Sequence, residues 1–70
     1  MMDPILISRN FTHHAPKPGH TERYESIRVK ALHFAHIINE HCPDSKEKDM
    51  ALHSLDQAVM WANASIARNE

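Results

Sequence analysis

Pro43 constrains this chain more than any other residue, because it separates two stretches that each carry an apolar stripe at the helical period. Upstream, Tyr24, Ile27, Ala31, Phe34, Ile38 and Cys42 step by 3, 4, 3, 4 and 4. Downstream, Leu52, Leu55, Val59, Ala62 and Ile66 step by 3, 4, 3 and 4. The residue before a proline disfavours the helical region, so the first long helix is predicted to run from about Thr21 to His41. Asp44 and Glu47 have the capping-box spacing, with Ser45 as a rival cap, and the second helix is predicted from about Ser45 to Arg68. A turn of about three or four residues makes the two helices antiparallel neighbours, each about 30–36 Å long.

Ahead of the hairpin, Asp3-Pro4 is a plausible cap and first helical residue, predicting one or two turns over Ile5 to Arg9. Pro16, Pro18 and Gly19 then make residues 12–20 a loop. The expected fold is all-α and a single domain: an N-terminal arm and loop over residues 1–20, and a helical hairpin over 21–70.

Two helices cannot bury all the apolar side chains they carry. Val29, Leu32 and Ile37 lie off the first stripe, and Met50, Met60 and Trp61 off the second. Alanines at 51, 58, 62, 64 and 67 allow close helix approach. Association with further copies of the chain is the economical solution.

Composition narrows the function classes. A single cysteine, Cys42, excludes an intrachain disulfide framework and fits a reducing cytoplasm. The opening MMDPILIS lacks a basic region and does not read as a signal peptide. No apolar run approaches the roughly 20 residues that span a bilayer, so no membrane is expected as a partner. The net charge is −1, but its distribution is uneven. Arg9, Lys17, Arg23, Arg28 and Lys30 stand against Asp3, Glu22 and Glu25 up to residue 30, while residues 31–70 are acidic. That positive end suits a small anion more than a DNA or RNA polymer.

Neither metal nor catalysis is expected. His33 and His36 share a helix face, but HExxH and CxxC are absent and the seven histidines are scattered. His41 and Cys42 are adjacent on a helix end and do not face each other. No nucleophile, base and oxyanion donor assemble, and no cofactor is implied.

The stretch FTHHAPKPGHTERYESIR, residues 11–28, is different. Phe11, His13, His14 and Tyr24 offer flat faces to a base, while Lys17, Arg23, Arg28 and Lys30 offer charge-assisted donors to phosphate. Backbone N–H groups near Gly19 and Thr21 add to the attraction for an anion. The alternative is a capped helix start with a solvated charged face, Phe11 and Tyr24 being core.

The segments FTHHAP, ERYESIR, CPDSKEKDMAL and AVMWANASIARN together resemble the hairpin domain shared by two phage anti-defence families, the anti-CBASS type 2 sponges and the Thoeris anti-defence type 1 proteins. The resemblance runs from about Phe11 to Asn69. It implies a homohexameric helical bundle without enzymatic activity, encoded by phage and acting in the bacterial host cytoplasm. Such proteins sequester cyclic dinucleotides and trinucleotides, or in some relatives a cyclic ADP-ribose derivative, and so block CBASS-type immunity without hydrolysing the messenger. By this resemblance the dinucleotide site falls on Phe11, His13, Arg28 and Lys30, with Lys30 facing a neighbouring protomer's site. The trinucleotide site falls on Thr12, His14 and Arg68. His13 stands where many relatives carry tyrosine, and an imidazole stacks with less area and a pH-dependent charge. A purely structural or protein-binding helical oligomer is the remaining alternative.

Overall fold

The computed structural model describes residues 3–70. Three helices follow one another, α1 over Pro4–Phe11, α2 over His20–His41 and α3 over Lys46–Asn69, with no strand among the described residues.

α1 begins as its sequence dictates: Pro4 opens it, and the Asp3 carboxylate accepts from the Ile5 N–H at 2.8 Å. It runs two residues beyond the expected Arg9 because the following side chains satisfy its last carbonyls. The Thr12 hydroxyl donates to the Ser8 carbonyl, and His14 Nε2 donates to the Arg9 carbonyl at 2.6 Å. Residues 12–19 then cross to α2, where Gly19 takes a left-handed conformation with φ of 86°. A Cβ at Gly19 would meet no atom within 4 Å, so the requirement for glycine is a backbone one.

α2 stops at His41, ahead of Pro43, as expected. Two residues of its expected stripe are corrected. Phe34 is 52% exposed and Cys42 is exposed, and Ala35 takes the inward position between Ala31 and Ile38. At about 100° per residue, Phe34 lies some 60° to one side of Ala31 and Ala35 about 40° to the other; the smaller side chain occupies the seam. The α3 stripe of Leu52, Leu55, Val59, Ala62 and Ile66 is half-buried throughout, as expected.

The turn corrects the expected cap. Ser45, not Asp44, caps α3: its hydroxyl accepts from the Lys48 N–H at 3.0 Å. Asp44 stands one residue too early and instead pairs with Lys48 Nζ at 3.0 Å. The same ammonium donates to the Asn39 carbonyl at 3.0 Å, one of the open carbonyls at the end of α2. Lys48, 9% exposed, thus ties the end of one helix to the start of the next. Replacing it with alanine removes charge-assisted bonds worth about 1–3 kcal/mol in total. The expected result is a melting temperature lower by several degrees, read by circular dichroism.

Among the described residues, no apolar side chain is buried. The molecule is a plate measuring 44 × 34 × 12 Å, one helix thick. On each broad side of the α2–α3 seam lies an open apolar groove. One is bordered by Arg28, Leu32, Ala35, Leu52 and Asp56 and encloses about 270 Å³. The other is bordered by Ile27, Lys30, Phe34, Ala58 and Ala62 and encloses about 410 Å³.

Candidate functional site

The loop after α1 is held over the end of α3, and a depression of about 510 Å³ opens between them. Thr12, His13 and His14 form one wall, Asn63 and Arg68 the other, and Tyr24 of α2 the end. Its size and its mix of rings and polar groups fall within the range of small-molecule sites. Thr12 and His14 are fixed by their bonds to the carbonyls of α1, whereas His13 is exposed. A main-chain carbonyl can only accept, so His14 Nε2 carries a hydrogen, and in the neutral ring Nδ1 is left as an acceptor.

Tyr24 and Asn63 also line a second depression, of about 280 Å³, with Thr21, Glu25, Arg28 and Val59. Arg28 and Val59 in turn border the first apolar groove. The three form one furrow along a single broad side of the plate, from the loop past Arg28 to Leu52.

The residues expected at the trinucleotide site, Thr12, His14 and Arg68, come together around the loop depression. Those expected at the dinucleotide site are more dispersed within one protomer. His13 lies at the loop end of the furrow and Arg28 further along it. Phe11 projects from the end of α1 at 85% exposure, and Lys30 lies on the opposite broad side. Asn63 was missed in the sequence. Its Oδ1 is buried with no hydrogen-bond partner, beside both depressions. A polar residue next to Ala62, amid the apolar inward positions from Leu52 to Ile66, was the available signal.

The structure also sorts the cations. Arg23, expected as a phosphate donor, instead makes a two-pronged pair with the Glu70 carboxylate at 2.8 and 2.5 Å. Lys17, also expected on phosphate, donates to the Glu70 main-chain oxygen. This pairing raises the pKa of Arg23 and lowers that of Glu70, the hydrogen bonds between them being the main cause in each case. Arg28, Lys30 and Arg68 make no ion pair among the described residues. Among those residues, no three His, Cys, Asp or Glu side chains come together as a metal site, and no helix is long and apolar enough to cross a membrane.

A family model described as Acb2/Tad1, hairpin domain, matches residues 3–67, nearly the whole chain. The chain belongs to the Acb2/Tad1 hairpin family. That family is associated with the sequestration of signals used in anti-phage defence, and it is not a known enzyme family. No curated protein and no solved structure matches the chain. For an Acb2/Tad1 hairpin, an all-helical chain whose long helices fold back on each other is the expected architecture.

Proposed function

We propose that this chain is a phage-encoded sponge that captures cyclic dinucleotides, and at a second place cyclic trinucleotides, in the bacterial host cytoplasm without hydrolysing them. The observation that carries the reading is the furrow, which sets the rings of His13, His14 and Tyr24 and the polar edge of Asn63 in line with Arg28, a cation with no ion pair among the described residues. Rings stack on bases, worth about 1–3 kcal/mol each, and guanidinium groups bind phosphates at about 1.5–3 kcal/mol each. A few such contacts reach the roughly −12 kcal/mol of a nanomolar complex.

The same reading includes assembly, with a homohexamer as the state implied by resemblance. Two open apolar grooves and the lack of any buried apolar side chain among the described residues support association. The placement of Lys30 opposite Arg28 supports a protomer that serves its own furrow with one cation and a neighbour's with the other. Capture of a cyclic ADP-ribose messenger is a second reading, since that ligand also combines an adenine ring with linked phosphates.

Calorimetric titration with 3′,3′-cyclic GMP–AMP, cyclic tri-AMP and cyclic ADP-ribose tests these alternatives. Tight binding of either cyclic oligonucleotide, with the ligand recovered intact after the protein is denatured, is the expected result. Tight binding of cyclic ADP-ribose alone would move the assignment to the second reading. Absence of heat from all three would overturn both. Arg68→Ala is expected to weaken cyclic tri-AMP by about ten-fold or more while sparing cyclic GMP–AMP, one lost charge-assisted contact being of that order. Equal loss of both ligands would remove Arg68 from a separate site.

A further inference from the structure

The loop depression has walls from distant parts of the chain, and apolar packing does little to hold them together. In α1 and the loop, Ile5, Ile7 and Phe11 are all exposed. The connections are polar and converge on the last turn of α3. Arg9 donates to Asn69 Oδ1 at 3.2 Å, which fixes the end of α1. Lys17 donates to the main-chain oxygen of Glu70, which fixes the middle of the loop. Arg23 grips the Glu70 carboxylate with two bonds and fixes the first turn of α2.

A relay leads from this cluster to the depression. The Lys17 N–H donates to His20 Nδ1 at 3.2 Å, so the neutral ring carries its hydrogen on Nε2, 3.7 Å from Glu70 Oε1. His20 is 3% exposed and packs edge-on against Tyr24, with centroids 5.8 Å apart. Tyr24 forms the end wall of the depression.

We propose that Glu70 is a positioning residue, the centre of an ionic clasp with Lys17 and Arg23 that seats the 12–19 loop on α3 and sets the shape of the loop pocket. The clasp removes Lys17 and Arg23 from phosphate binding and uses their charge to hold the residues that meet the ligand. The pocket's role as a trinucleotide site rests on the function proposed above; the clasp itself does not.

The groups facing the Glu70 carboxylate are Arg23, His20 and Lys17, and they hold its pKa below the ordinary range. A carboxylate with a depressed folded pKa contributes above its unfolded value, and the contribution is lost as pH falls through the folded value. The clasp is therefore intact at neutral pH and is lost as pH falls into acid.

Amide hydrogen exchange over residues 12–19, measured without ligand, tests the clasp directly. Faster exchange is expected in Glu70→Gln and in Arg23→Gln, with wild-type protection regained in the exchanged pair Arg23→Glu with Glu70→Arg. Unchanged exchange in both single variants would overturn the proposal whether or not any nucleotide binds. Titration with cyclic tri-AMP tests the effect on the pocket. Glu70→Gln should bind about five-fold more weakly at neutral pH, the scale of a well-formed exposed pair, and the exchanged pair should recover affinity. Faster loop exchange with full cyclic tri-AMP affinity would overturn the positioning role. A wild-type chain that binds no messenger would overturn the proposed function, and the exchange comparison would still decide the clasp.

Discussion

Arg28→Ala is expected to reduce capture of 3′,3′-cyclic GMP–AMP by about 100-fold or more, with the assembly and its melting temperature unchanged. The size follows from the residue's surroundings. Arg23, Lys17 and Lys48 are held by Glu70, Glu70 and Asp44 respectively, whereas Arg28 lies in the furrow with no ion pair among the described residues. Its loss removes a charge-assisted contact of about 1.5–3 kcal/mol, a factor of roughly 10–150, and in the proposed symmetric assembly a ligand with two phosphates would lose it twice. Arg28→Lys should keep part of the affinity, because an ammonium supplies the charge without the two-pronged geometry. Calorimetry gives the affinity and sedimentation the assembly. Retained nanomolar binding by Arg28→Ala would remove this residue from the site.

Phe34→Asp carries the other large effect. In an isolated chain this change should be almost without cost, since the ring is half exposed and borders an open groove. In an assembly that covers the groove it places a charge in an apolar contact, a penalty of several kcal/mol. The expected result is dissociation, seen by sedimentation, together with loss of the far-ultraviolet helical signal. No apolar residue is buried among the described ones, so a lone protomer has little to offset its ordering entropy. For the same reason the wild-type melting temperature should rise with protein concentration. Unaltered sedimentation and helicity in Phe34→Asp would mean that this groove stays open.

The features legible in the sequence are those written locally. Asp3-Pro4 announces α1, Pro43 ends α2, and the apolar spacing from Leu52 to Ile66 gives the inward face of α3. The errors have local causes too. Steps of 3 and 4 both follow a helical face, so spacing alone does not choose between Phe34 and Ala35. Asp44 and Ser45 are both good capping residues, and the choice depends on which backbone turns into the helix.

The candidate site divides in the same way. Thr12 and Arg68 were named from the resemblance alone, His13 and His14 from their rings as well, and the four border one space. The part played by Glu70 was not legible. Its partners are 47 and 53 positions away, and periodicity has no term for contacts at that distance. Arg23 and Lys17 therefore read as free cations until the fold placed Glu70 between them, its carboxylate on Arg23 and its main-chain oxygen on Lys17.

The 12 Å thickness of the plate has a consequence for how such a sequence can drift. In an ordinary domain a concealed layer rejects polar substitutions while the outside varies freely. This chain has two outsides and, among the described residues, no apolar side chain concealed between them. In the proposed assembly, which would cover both grooves, free variation is left to the narrow rims, so lineages of such plates should diverge first at the rims and last along the grooves.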